Sequence, residues 1–414
     1  MSATSPRPSY AAVLRIPYAR RTFAAVLVGR LSYGMVPVAV LLAVTRTTGS
    51  YAVAGTVMAL FGATSVFLSP VRAGLVDRYG PRRVLLPMAS LYAGLLGALA
   101  VASWRPGASG AVAAAAGACT PPLGPTMRTV WSELAADQGL LRRAYSLDGV
   151  AEELLFVSGP LVVGGVVQFA APAAALVVGA LLVVAGTYGF VTSPAVTRMP
   201  GRGPAPKEGA RGRRPRVVAG IVPPVVAAGG VGLSLGALDL LVLAFAEQQG
   251  HGDDVVAWIF AALSAGSAVG GLLYGAVEWC SGARVRLALL TGGLGLTLAG
   301  AGLAPDLAVL TGAIVCAGLF VAPALTTAYL VADASAPSVA RTRSGAWVNT
   351  AVNAGISAGA ATSGLLVAHF SPALGFALAG GAALLAASAV GAGRLRGRAP
   401  EPPRSAVERA GAQR

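Results

Sequence analysis

The sequence predicts an all-α membrane protein with twelve transmembrane helices in two six-helix, pseudo-symmetric halves. Three observations point to this class. Apolar runs of about 20 residues, each long enough to cross a bilayer core as a helix, recur along most of the 414-residue chain. The chain is 55% hydrophobic and only 11% charged, where a soluble domain carries about 25% charge; its mean hydropathy is +0.71. An arginine-rich stretch near the middle separates six runs from six more.

The runs follow in order. The first, 22–44, comes after Arg7, Arg15, Arg20 and Arg21, contains Arg30 and Tyr33, and is too long for the apolar core of a signal peptide. The second, 51–71, leads into the charged segment Ala73 to Arg83. The third is 84–104. The fourth, 109–131, holds Pro121-Pro122 and Arg128. The fifth, 144–168, carries Asp148, Glu152, Glu153 and Pro160, and a short joint at Ala170–Pro172 leads to the sixth, 172–193. Residues 194–216 are rich in Pro, Gly and Arg without apolar periodicity, which reads as a flexible basic linker. The second half runs through 217–246 (with Pro223-Pro224 and Asp239), 255–277, 285–303, 307–331 (with Pro323 and Tyr329), 344–368 (with Asn349 and Asn353) and 372–393. The domains are therefore 1–193, the linker 194–216, 217–393, and a tail, 394–414, expected to be disordered. The internal prolines kink or break their helices, as gating helices or as plain structural bends.

The basic residues orient the chain. Of 31 Lys and Arg, 27 fall before the first run, in the loops on that same side, or in the tail. Only Arg46 and Arg105 fall opposite, while Arg30 and Arg128 lie inside runs. This asymmetry predicts cytoplasmic termini. It also accounts for the net charge of +15 without nucleic acid, because the basic loops face anionic lipid. The expected partners are the bilayer and a small-molecule substrate, and the expected state is a monomer. Cys119, Cys280 and Cys316 form no CxxC pair, and His251 and His369 stand alone in loops. No metal site and no cofactor are expected. Heavy use of Ala, Gly and Arg points to a GC-rich bacterium and its inner membrane.

A shift of 201 residues superposes several positions: Gly74 on Gly275, Val76 on Val277, Arg83 on Arg284, Gly117 on Gly318, Pro122 on Pro323, Thr126 on Thr327 and Arg142 on Arg343. Duplicated six-helix halves with a site between them near the midplane are a recurrent transporter plan.

The segment Ala73-Gly74-Leu75-Val76-Asp77-Arg78-Tyr79-Gly80-Pro81-Arg82-Arg83 resembles the loop between spans two and three of the major facilitator superfamily, G-x-L-a-D-R-x-G-R-R-R. Ala73 replaces the first Gly and Pro81 a basic residue. With twelve spans and a central basic loop, the resemblance covers nearly the whole chain. It implies a gating motif built from Gly74, Asp77, Arg78, Gly80, Arg82 and Arg83. Asp77 would sit at the positive end of span eleven, and Arg78 would pair with Glu133. The alternative is a loop that serves topology alone. In span five, Gly159-Pro160 and Gly164-Gly165 form a degenerate version of the family's antiporter signature, which leans toward efflux; ordinary small-residue packing explains it equally well. The resemblance also puts spans one, four, seven and ten around the cavity, which makes Arg30, Tyr33, Arg128, Asp239 and Tyr329 candidate lining residues.

Ionisable residues inside spans are costly and mark function. Asp148 and Glu152, four apart, share a helix face; Glu153 points about 100° away. The depths of the residues suggest two pairs, Arg128 with Asp148 and Arg30 with Glu152. A carboxylate that loses its arginine during rocking can load and release a proton, so Glu152, then Asp148, then Glu153 are the proton-coupling candidates. A static ion pair near the membrane boundary is the alternative. The repeat places Asn349 opposite Asp148 and Asn353 opposite Glu152, so the second half keeps polar character without charge. Asp239 either attracts cationic substrate or ends a helix.

These features predict a proton-driven secondary transporter, working by alternating access, that exports small organic molecules such as drug-like compounds or metabolites. The runner-up is an importer or facilitator of an anionic or polar nutrient, bound by Arg30. No G-x-x-x-x-G-K-[ST] segment exists for ATP. A membrane enzyme would need a cluster of catalytic or metal-binding residues, which two loop histidines do not supply; no enzyme activity is expected.

Overall fold

The computed structural model describes residues 9–101, 106–199, 210–251, 253–367 and 370–396. Sixteen α-helices among them build twelve spans. A short helix, α1 (Tyr10–Arg15), precedes α2 (Ala19–Thr48), the first span. The second span is bent by 42° between α3 (Tyr51–Phe67) and α4 (Ser69–Tyr79). The third is α5 (Pro81–Val101). The fourth is broken into α6 (Pro106–Cys119) and α7 (Leu123–Leu134). The fifth and sixth are α8 (Gln138–Phe169) and α9 (Pro172–Val191), followed by one turn, α10 (Pro194–Thr197). The second half comprises α11 (Ala210–Gln248), α12 (Asp253–Ala276), α13 (Ala283–Ala301), α14 (Leu307–Ser335), α15 (Arg341–Val367) and α16 (Pro372–Arg396).

Eight of these helices are individually long and apolar enough to cross a membrane, and the α3–α4 pair makes a ninth. The others fall short because they are broken or polar. Thr120-Pro121-Pro122 cannot continue α6, since proline lacks the N–H and clashes with the preceding turn. Helix starts are set by side-chain caps. Ser50, Asp137 and Asp306 accept backbone N–H groups at 3.4, 2.8 and 2.9 Å.

Several expected boundaries shift. The fifth span begins at Gln138 rather than 144, because the Asp137 cap starts the helix a turn and a half earlier. The expected linker is shorter than 194–216: α10 holds Pro194–Thr197 and α11 already begins at Ala210. Residues 200–209 of that linker, nearly all of the expected tail, Arg7, Arg105 and His369 lie outside the described residues. Hydropathy reading also missed α1, which is too short to carry a pattern.

Three apolar cores organise the bundle. One lies wholly in the first half, around Met35, Tyr92, Leu96 and Leu176. A second lies wholly in the second half, around Leu238, Leu241, Leu298 and Phe376. The third joins both halves, with Phe23, Met127 and Trp131 on one side and Leu330, Val348 and Val352 on the other. The joining core sits toward the face that carries Arg78, Arg82 and Arg83, called the basic face below. Toward the opposite face each half keeps its own core. Small residues allow the close helix approach within halves. Gly29 of α2 meets the backbone of Gly186 in α9. Gly230 of α11, the repeat counterpart of Gly29, meets Ala386 and Ala383 of α16.

Candidate functional site

Four charged side chains converge in the first half. Arg30 rides on α2, Arg128 on α7, and Asp148 and Glu152 one turn apart on α8. Arg30 Nη1 donates to Asp148 Oδ1 at 2.7 Å, and its Nη2 lies 2.9 Å from Glu152 Oε2. Arg128 Nε lies 3.2 Å from Asp148 Oδ2, and its Nη2 donates to Glu152 Oε2 at 2.5 Å. The expectation of two separate pairs is therefore corrected. Both pairs form, and so do both cross-pairs, because one helical turn brings the two carboxylates level with both guanidinium groups. The square is electrically neutral, and Asp148 is fully buried. Arg30, Arg128 and Asp148 are buried and Glu152 is partly exposed, and each charge is held by two opposite charges, the arrangement that makes burial tolerable.

The square reaches the second half through Arg128, whose guanidinium carbon lies 3.7 Å from the centre of the Tyr329 ring on α14. The Tyr33 hydroxyl donates to the Pro121 carbonyl, released by the break between α6 and α7. Asp239 is exposed on α11. The Asn353 side chain donates back to the Asn349 carbonyl at 2.8 Å, one turn earlier on α15. The structure thus brings Arg30, Arg128, Asp148, Glu152 and Tyr329 together.

On the basic face, Asp77 ends α4 and its carboxylate meets the start of α15. The backbone N–H groups of Thr342 and Arg343 donate to it at 3.2 and 2.9 Å. These are among the unpaired donors of a helix N-terminus, where a carboxylate is doubly favoured. Gly80 closes α4 with φ +88°, a conformation that a side chain would strain. Gly74 packs beside the aliphatic part of Arg343. Arg78 is exposed and lies 5.0 Å from the Tyr79 ring centre. Arg82 and Arg83 are exposed at the start of α5, and Glu133 is exposed at the end of α7.

Four arginines that hydropathy assigned to solvated loops are buried instead: Arg72, Arg142, Arg143 and Arg286. The first three cap the ends of other helices. Arg72 donates to Gly117 and Ala118 carbonyls at 2.5 and 3.2 Å, where α6 stops. Arg142 and Arg143 reach across to the end of α12, donating to Val277 and Ala276 carbonyls at 2.7 and 3.3 Å. A helix C-terminus leaves its last carbonyls unpaired and carries partial negative charge, so a guanidinium is well placed there. Arg286 instead lies against the rings of Tyr274 and Trp279. Sequence reasoning also passed over Arg341, which donates to Ser132 Oγ at 2.8 Å and lies 3.7 Å from Asp333. The sequence did hold one clue: the repeat matched Arg142 with Arg343, at the starts of the fifth and eleventh spans.

The described hydrogen bonds between halves lie on the basic side or at mid-depth. They include Thr129 with Thr342 at 3.1 Å and Thr350 with the Val66 carbonyl at 3.0 Å. The bundle is closed on the basic face, with separate cores beyond.

A model of the Major Facilitator Superfamily matches residues 22–252 and again residues 224–413. The chain belongs to the major facilitator superfamily. Solved structures of transporters in this superfamily fold share the architecture. The human organic anion transporter MFSD10 (TETRAN) matches with a TM-score of 0.68 at 16% identity, over 90% of this chain and 99% of that one. A bacterial homologue of the iron transporter ferroportin, in its outward-facing state, matches with a TM-score of 0.73 at 13% identity, over 91% and 98%. At such identities the likeness is one of fold. No curated protein sequence matches the chain. As a superfamily member it is a multi-pass membrane protein of the transporter fold.

Proposed function

We propose that the protein is a proton-coupled secondary transporter that exports small organic molecules from a bacterial cytoplasm by alternating access. The basic face, with both termini, lies in the cytoplasm, as the arginine asymmetry favours. The observation that carries this reading is the one-sided closure. Asp77, Arg142, Arg143 and Arg341 bind the halves through helix ends and hydroxyls, and rocking breaks all of these together. Each bond is modest, about 1 kcal/mol for a neutral pair and 1.5–3 for a charged one, so the latch is reversible.

Export rather than import rests on the degenerate antiporter signature in α8. Its first glycine, Gly159, packs against Gly34 of α2, while a side chain at Gly164 or Gly165 would meet nothing within 4 Å. The nutrient-import reading loses support because both terminal guanidinium nitrogens of Arg30 already face carboxylates.

The test is reconstitution into liposomes holding a trapped pH dye, with cationic, neutral and anionic compounds added in turn. The reading expects one compound class to drive proton movement. A compound that crosses with no proton signal makes the protein a facilitator, and the export reading falls.

A further inference from the structure

Glu153 stands apart from the four charges beside it. It belongs to no ion pair among the described residues. The Ser267 hydroxyl of α12 donates to its Oε1, and its Oε2 is buried with no hydrogen-bond partner. This contact crosses between the halves.

It is also the last rung of a seam. On α8, Ser146, Val150 and Glu153 recur at helical spacing; facing them on α12 are Gly275, Gly271 and Ser267. The seam starts at the basic face, where Arg142 caps α12, and Glu153 lies about 16 Å deeper at helical rise. Beyond Glu153 the same face of α8 continues with Val157 and Leu161, which are 53% and 71% exposed. The closed seam therefore ends at Glu153, where the halves part.

An ionised carboxylate at this depth, with one hydroxyl and no cation, is expensive; the neutral acid is much less so. The helices packed against α8 supply no charge partner. They bear Tyr10 and Arg15 (α1), Arg30 and Tyr33 with Arg20, Arg21 and Arg46 at the two ends (α2), Arg128 and Glu133 (α7), Tyr188 (α9), Asp253, Asp254 and Tyr274 (α12), and Cys316, Tyr329 and Asp333 (α14). Arg30 and Arg128 are taken up by Asp148 and Glu152, its neighbours on α8. One carboxyl and one hydroxyl are too few to hold a metal ion, but they suffice for a proton.

We infer that Glu153 is the proton-binding residue of the transport cycle, neutral while the α8–α12 seam is closed and ionised when rocking opens the seam to the cytoplasm. This rests on the proton-coupled reading above and replaces Glu152 as its leading candidate. Glu152 keeps its charge within the neutral square. The proton enters from the open side, sits on the unpaired Oε2, and leaves when the seam parts. Protonation therefore favours the conformation described here, and rising pH favours the opposite one.

The experiment needs no substrate. Spin labels at Ala136→Cys and Ser281→Cys, on opposite halves at the basic face, report the gap in nanodiscs from pH 5 to pH 9, in a chain whose three native cysteines are serine. The wild-type sequence at position 153 is expected to show the short distance at low pH. The long-to-short ratio should rise by up to about tenfold per pH unit, the limit for one linked proton. Glu153→Gln should stay short throughout. The swap Glu153→Ser with Ser267→Glu, which moves the carboxyl across the seam, should restore the response. If Glu153→Gln responds to pH like the wild type, the proton sits elsewhere and this inference falls while proton coupling survives. If the wild-type distance ignores pH, both fall. A folded swap variant without a response also overturns the assignment.

Discussion

The two halves share a backbone plan but not a chemistry. In the first, Arg30, Arg128, Asp148 and Glu152 form a closed square of charge. The positions 201 residues on are Val231, Tyr329, Asn349 and Asn353. The second half answers four charges with one aliphatic side chain, one aromatic and two amides. Tyr329 is the counterpart of Arg128, and the two stack on each other across the interface. The latches differ in the same way. The first half offers a carboxylate, Asp77, to the N-terminus of α15. At the equivalent joint it is again the first half that supplies the side chains, with Arg142 and Arg143 capping the C-terminus of α12. The charge square thus resides in one half, while the other presents helix ends, a ring and the Arg341 guanidinium. One neutral cluster needs only one set of compensating partners; two would double the desolvation cost.

The largest effect should come from unbalancing the square. Asp148→Asn leaves two arginines facing one carboxylate, and breaking a buried pair costs about 3–5 kcal/mol. Thermal unfolding of the purified protein should drop by several degrees. Adding a lone carboxylate to the second half, Asn349→Asp, should also destabilise, and a neutral outcome there would break the contrast between halves. Next comes the latch. Asp77→Asn removes a charge-assisted contact worth about 2 kcal/mol, so the closed-to-open ratio at the basic face should fall about 30-fold by spin-label distance measurement. Glu278→Gln, at the exposed counterpart in the second half, should change stability by less than about 0.5 kcal/mol. A weaker latch effect than that of Asp77→Asn should come from Arg142→Met, which keeps the aliphatic packing and loses one charge-assisted cap of about 1.5 kcal/mol, roughly a twelvefold shift in the same ratio. An effect equal to that of Asp77→Asn would show that both latches carry the same load.

Some of this was legible before any coordinates. Apolar run length located most span ends closely, because a helix that crosses a bilayer must be apolar over its length whatever its neighbours; the misses were the polar ends of the second, fifth and seventh spans, at Tyr79, Gln138 and Ala210. Buried charges in the first half were visible as exceptions within those runs. Two of the four contacts, Arg128 with Asp148 and Arg30 with Glu152, were visible as well; the two cross-pairs were not. Depth along a helix relates Arg30 to Glu152, but only the packing angle of α2 and α7 on α8 sets all four groups within reach of one another. The buried arginines were misread for a related reason. Hydropathy treats Arg72, Arg142 and Arg143 as loop charges, since it has no knowledge of the helix ends beside them. Glu153 was ranked behind Glu152 because both look alike in sequence; their difference is which helix each one faces.

The sequence by itself determined the class, the twelve spans, the duplication, the side on which positive charge gathers and the half that holds the buried charge. These follow from local composition, since lipid penalises each polar group singly. The tertiary structure alone decided which charges neutralise one another, which arginines cap which helices, and which carboxyl is left with only a hydroxyl at the seam. Those outcomes depend on distances of a few ångströms between segments that lie up to 135 residues apart along the chain, and Coulomb and hydrogen-bond energies are decided at that scale.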